Sequence, residues 1–240
     1  MLKIEGLTKT YRGGKRAVNN LSLHVEPGDI YGFIGHNGAG KTTTLRCAAG
    51  MLDFESGEIH VDGRSVRRDA LECKRRMAYI PDNPDLYDYL TGIQYLNFVA
   101  DVYGVGARAR GAAFEKYGDM FELTGVLGDL ISGYSHGMKQ KLALMAALSH
   151  APRLMLLDEP FVGLDPKAAL MLKRVMREIC EAGGAIFFST HVLDVAERLC
   201  NKVAIIKDGA LVTSGETCAL TRGESLESLF MEVVEHVPAD

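Results

Sequence analysis

The stretch "GHNGAGKTTT", Gly35 to Thr44, follows an apolar run that reads as a strand and opens a segment of helical pattern. It fits GxxxxGK[ST], a loop whose glycines let backbone N–H groups converge on phosphate oxygens. Gly35, His36, Asn37, Gly38, Ala39 and Gly40 would form the cradle, with Lys41 a cation beside the β and γ phosphates. Thr42 and Thr43 would open the helix, Thr42 with its hydroxyl on Mg²⁺. A glycine-rich turn ahead of a helix is the plain alternative, but strand, spacing, lysine and paired threonines together favour a site for a triphosphate.

Two further strand ends carry candidates. "LMLLDEP", Leu154 to Pro160, closes an apolar strand with adjacent carboxylates. Alone that is an acidic strand end; beside a phosphate loop, Asp158 becomes a group for Mg²⁺, directly or at one remove. Glu159 becomes a base that orients or deprotonates an attacking water. "STH", Ser189 to His191, ends the next strand, at the edge where ligands of open α/β sheets gather. His191 draws its weight from that edge, since a lone histidine is more often structural. "YSHGMKQK", Tyr134 to Lys141, puts a serine and a glycine ahead of an amphipathic helix. It reads either as a second helix N-terminus suited to an anion or as Ser135 capping its own helix.

These residues need a sheet to hold them. Short runs, "LKIEG", "LSLHV", "DIYGFIG" and "GEIHVDG", divided by glycine-rich turns, make a β-rich start. "MAYIP", "LMLLDE", "AIFFST" and "VAIIKDG" read as buried strands with helical stretches between several of them, the pattern of a parallel sheet covered on both faces. A helix is predicted from Asp165, with Pro166 in its first turn; Ala168, Met171, Leu172, Val175, Met176 and Ile179 repeat on one face before Gly183-Gly184 stop it. Residues of about 84–150 read as a helical insertion between two strands, and the tail after "KDG" as one or two short helices.

The 240 residues, 47% hydrophobic, suffice for one large domain or a domain with a subdomain. A net charge of −4 gives no general attraction to polyanions, so no nucleic-acid partner is expected. Five scattered cysteines without CxxC suggest neither a disulfide framework nor zinc, and fit a reducing cytosol. No stretch is read as a membrane span, so a membrane role would come through a partner.

In this order and spacing the phosphate loop, "YSHGMKQ", "LMLLDEP", "GLDP" and "STH" resemble the nucleotide-binding subunit of ATP-binding cassette (ABC) transporters over essentially the whole chain. The resemblance implies an α/β fold, a RecA-like P-loop NTPase core with an N-terminal antiparallel β subdomain and an inserted α-helical subdomain. One domain would span 1–240, with about 84–150 as the helical part and about 217–240 as a C-terminal tail. ATP and Mg²⁺ are the implied cofactors. Tyr11 would stack on adenine, though a strand-end aromatic is its plain reading. Ser135 and Gly137 would belong to the family signature and close over the γ phosphate on a second ATP-binding subunit, in a homo- or heterodimer. Asp165 would lie in the loop crossing that dimer, and His191 would contact the γ phosphate.

Two positions depart from the family pattern. His136 stands where glycine is usual, and either adds a donor or points away. Asp82 in "YIPDNPD" stands where glutamine is usual, and either reaches Mg²⁺ through a water or is a turn residue before Asn83-Pro84. "YIPDNPDLYDYLT", "YSHGMKQKL" and "ESLESLFMEV" look like the subgroup serving exporters of the bacitracin-resistance and Ecs types. That likeness implies an ATPase subunit driving transport, with export expected, through a separate membrane-embedded subunit, and held by it at the cytoplasmic face of the cell membrane. "LYDYL", Leu86 to Leu90, is either the surface gripping that subunit or ordinary packing. A soluble ABC-type ATPase acting on ribosomes or DNA is the alternative, but it usually carries two cassettes or a long coiled coil, and no heptad run is found here. Glu159 argues against a regulator without turnover.

Overall fold

The computed structural model describes residues 1–235. The chain begins with β1 (Leu2–Thr10) and β2 (Arg16–Val25), an antiparallel pair, and then β3 (Ile30–Ile34), buried along its whole length. After the glycine loop come α1 (Lys41–Ala48), β4 (Ser56–Val61), the short β5 (Arg64–Ser65), α2 (Ala70–Arg76) and β6 (Met77–Ile80). Between β6 and the next strand lie α3 (Gly92–Val102), α4 (Ala107–Met120) and α5 (His136–Leu148). There follow β7 (Leu154–Asp158), α6 (Pro166–Glu181), β8 (Ala185–Thr190), α7 (Leu193–Leu199), β9 (Lys202–Lys207), β10 (Ala210–Glu216), α8 (Thr217–Thr221) and α9 (Leu226–Glu235). The expected tail to residue 240 is therefore described only as far as α9; residues 236–240 lie outside the described part.

Two sheets result. The four-stranded one has the order β2-β1-β4-β5 and is antiparallel; the six-stranded one has the order β10-β9-β3-β8-β7-β6, parallel except for β10. The larger sheet is apolar on both faces, and its alternation divides the core in two. On β8, Ile186 and Phe188 join the cluster formed with α5, α6, α7 and α9, whereas Ala185 and Phe187 join the cluster formed with α1 and the smaller sheet. Helix α6 begins where its sequence dictates: the Asp165 carboxylate accepts from Ala168 N at 2.8 Å, Pro166 occupies the first turn, and Ala168, Leu172, Val175 and Met176 are buried. Such a cap stabilises by about 1 kcal/mol. Among the described residues no helix is long and apolar enough to cross a membrane.

Strand β10 departs from the sequence expectation, which places only short helices after "KDG". Its side chains are half-exposed or exposed, so no apolar run announces it. The signal was the turn: Asp208 and Gly209 both have positive φ, 48° and 81°, the conformation of a two-residue hairpin turn that pairs Ala210 with Lys207.

Candidate functional site

The parallel strands β3, β7 and β8 end at one edge, and their C-terminal ends carry the phosphate loop, Asp158-Glu159 and His191. Two glycines of the loop are dictated by neighbours. A Cβ on Gly35 would lie 2.5 Å from the Ile206 carbonyl oxygen; Gly40 has φ 110°, and a Cβ there would lie 2.3 Å from the Ala17 carbonyl oxygen. The hairpin turn supports the loop directly, because Gly209 N donates to Ala39 O at 2.9 Å. Gly40 offers no side-chain cap to α1, which leaves that helix end to an anion. Lys41, 6% exposed, donates to Gly35 O at 2.6 Å and His36 O at 3.3 Å.

Ser189 organises the carboxylates. Its hydroxyl donates to Asp158 Oδ1 at 2.5 Å and accepts from Glu159 N at 3.0 Å. Glu159 takes φ 47°, a left-handed conformation that costs a non-glycine residue about 1–2 kcal/mol. The turn sets its side chain in the cleft, with Oε1 3.6 Å from Lys41 Nζ and 3.0 Å from His191 Nδ1. This buried oxygen has the Lys41 ammonium and the His191 ring beside it but accepts no well-aligned hydrogen bond among the described residues, so a lone pair remains for a water.

An open cleft of about 280 Å³ gathers Tyr11, His36, Asn37, Gly38, Gly40, Lys41, Thr42, Thr43, Asp82, Asp158 and Glu159. The Tyr11 hydroxyl lies 3.2 Å from Thr43 Oγ1, and the half-exposed ring faces the cleft. Thr42, Asp82 and Asp158 supply oxygen donors, the set that suits Mg²⁺. Among the described residues no group of three His, Cys, Asp or Glu side chains could cage a metal, so a cation here would complete its shell with phosphate and water oxygens.

Ser135 and Gly137 do not line this cleft. Ser135 is the N-cap of α5, accepting from Met138 N at 3.3 Å. A Cβ on Gly137 would lie 2.5 Å from Gly163 O, and one on Gly163 would lie 2.5 Å from His136 Cδ2. The His136 ring therefore packs on Gly163, in the loop before α6, which explains how a histidine is accommodated there. Lys141 clamps the same contact through Asp165 at 2.6 Å, and its ammonium holds that carboxyl below the ordinary range.

The family profile described as "ABC transporter" matches residues 18–162. The chain is 32% identical to the ABC-type transporter ATP-binding protein EcsA of Bacillus subtilis (strain 168) over 98% of its length and 97% of that protein. It is 36% identical to the bacitracin transport ATP-binding protein BcrA of Bacillus licheniformis, over 88% of this chain and 68% of that protein. A solved structure described as the ATP-binding subunit of an ABC transporter superposes with a TM-score of 0.93 at 31% identity, covering 98% of this chain and 99% of the other. The chain belongs to the ABC transporter family. It is an ATP-binding, ATP-hydrolysing subunit of the kind to which EcsA and BcrA belong.

Several residues of this ABC ATPase escaped the sequence reading. Lys15 and Ala17 line the cleft, Ser189 holds both carboxylate residues, and Gly209 holds the phosphate loop. Gly209 has a local signal in the Asp-Gly turn and Ser189 one in "STH", but the groups that Ser189, Gly209 and Ala17 meet lie far along the chain from them.

Proposed function

We propose that the chain hydrolyses ATP as half of a dimer, with a second ATP-binding subunit completing each site, and thereby drives export through a separate membrane-embedded subunit at the cytoplasmic face of the cell membrane. In this reading residues 1–240 act as one domain, with about 84–150 the helical part and about 217–240 the tail. The phosphate loop from Gly35 to Thr43 binds the phosphates, Lys41 neutralises them, and Tyr11 stacks on the base. Thr42, Asp158 and Asp82 would hold Mg²⁺, which when bound neutralises charge on the β and γ phosphates. Glu159 accepts the proton of the attacking water, and His191, against Oε1, orients that carboxylate and meets the γ phosphate.

The observation that carries the shared site is the place of Ser135 and Gly137. They form a helix N-terminus rigidly seated on the Gly163 loop yet off their own cleft, so the anion it suits is one held by another subunit. The docking face is the aromatic group at Leu86 to Leu90. Tyr87 lies 5.8 Å from Tyr89 and 5.7 Å from Phe98, all three well exposed. Amphipathic rings of this kind suit an interface with a partner.

A mixing experiment tests the shared site. Ser135→Arg and Lys41→Ala chains, each inactive alone, are combined; one composite site then joins an intact loop to an intact signature, and ATPase activity returns. A mixture as inactive as either parent, with mixed dimers shown to form, refutes the two-subunit site.

A further inference from the structure

Phe230, on α9, meets the phosphate loop. Its ring lies 5.0 Å from that of His36, at 66°, an edge-to-face contact. His36 is otherwise exposed, while Phe230 is 6% exposed in the core cluster that includes Leu226, Ala196 and Leu199. The His36 carbonyl receives Ala39 N at 3.1 Å and Lys41 Nζ at 3.3 Å, so the His36 backbone shares with Gly35 in holding the cation that faces the cleft. Helix α9 is itself anchored: Leu226 is fully buried and its N–H donates to Glu197 Oε2 on α7 at 2.7 Å. The end of the described chain is therefore a strut running from α7, just beyond His191, to the loop.

We propose that Phe230 is a positioning residue for ATP, holding His36 so that the loop is set for phosphate before the nucleotide arrives. This rests on the loop being the ATP site. A preset loop needs less ordering on binding, so its gain is read in affinity and not in the chemical step. An edge-to-face aromatic pair is worth about 2- to 12-fold in an equilibrium constant.

The test measures ATP Kd, KM, kcat and Tm for the parent, Phe230→Leu, Phe230→Tyr, His36→Ala and the Phe230→Leu/His36→Ala double variant, with Lys41→Ala alongside. Leucine keeps apolar volume against α7 without a ring. Phe230→Leu is expected to raise Kd and KM about 2- to 12-fold with kcat within about twofold of the parent. Phe230→Tyr restores affinity, and the double variant binds no more weakly than the weaker single. Phe230→Leu with parental Kd, Phe230→Tyr as weak as Phe230→Leu, or multiplying effects in the double variant overturns the proposal. So does a fall in Tm with unchanged Kd, which marks α9 as structural only. If Lys41→Ala binds ATP like the parent, it is the loop assignment that fails.

Discussion

Replacing Glu159 by glutamine removes the proposed proton acceptor and almost nothing else. The amide keeps the shape, so the left-handed turn at φ 47° and the Ser189 contacts to its backbone stay as they are. Breaking a buried ion pair usually costs about 3–5 kcal/mol because one charge is left unpaired. Here the remaining charge keeps partners: Lys41 Nζ retains the Gly35 and His36 carbonyls at 2.6 and 3.3 Å. The variant should therefore fold with a Tm close to the parent. Losing a carboxylate 3.6 Å from Lys41 also frees that cation for phosphate, so ATP affinity is kept or tightened. Turnover should fall about 10²- to 10⁴-fold, the usual worth of a general base, or about 2.7–5.5 kcal/mol in the barrier. Phosphate release at saturating ATP, with size-exclusion chromatography in ATP, reads both effects: slow release and an ATP-held dimer. Hydrolysis at the parental rate would place the base elsewhere, and weakened binding would refute the claim that Glu159 competes with phosphate for Lys41.

Two predictions concern stability. His150 stacks on Tyr103 at 3.7 Å, and burial lowers its pKa to about 4, so the unfolded chain takes up this proton first as pH falls from about 6.5. The stability of the neutral form is complete above that pH and declines towards pH 4 by up to about 1.4 kcal/mol per unit; His150→Phe should flatten this part of a denaturation series, and an unchanged slope would refute the assignment. Gln140 is fully buried in α5 with both amide atoms unpartnered among the described residues, so Gln140→Met should stabilise by about 1–3 kcal/mol and raise Tm by several degrees. A lowered Tm would mean that water satisfies the amide.

The parts of the site legible in the sequence are those in which neighbours along the chain do the work. The phosphate loop needs a strand, glycines and a helix in succession, and Asp158-Glu159 needs only the end of an apolar strand. The fold class follows from the same strands, since apolar runs such as "LMLLDE" and "AIFFST" fit a sheet covered on both faces. What escaped the reading depends on the third dimension. Ser189 acts on Asp158 because β7 and β8 pair in register, and Ala17 shapes the loop because its carbonyl meets Gly40. The direction of His136 is decided by Gly163, which lies in another loop. Strand β10 escaped because an edge strand half in solvent keeps no apolar alternation, so only its turn spoke for it.

The loop 159–165 gives the two halves of the proposed site a mechanical relation. It starts at Glu159 and ends at Asp165, the cap of α6, and is stiffened by Val162 N donating to Glu159 O at 3.1 Å and by Phe161 set edge-on to Phe188 at 5.9 Å. Its Gly163 carries His136, and its Asp165 holds Lys141, so the start of α5 is tied to the carboxylate that sits against Lys41 in the same chain. Packed elements joined in this way shift together between discrete arrangements and do not deform one at a time. In the proposed dimer Glu159 serves its own subunit's ATP while the N-terminus of α5 serves the other subunit's. In that dimer a displacement of Glu159 when phosphate leaves one site would be carried by residues 159–165 to the helix end closing the second, so the expected outcome is cooperative ATP hydrolysis. A Hill coefficient of about 1, with dimers shown to form, would refute the coupling.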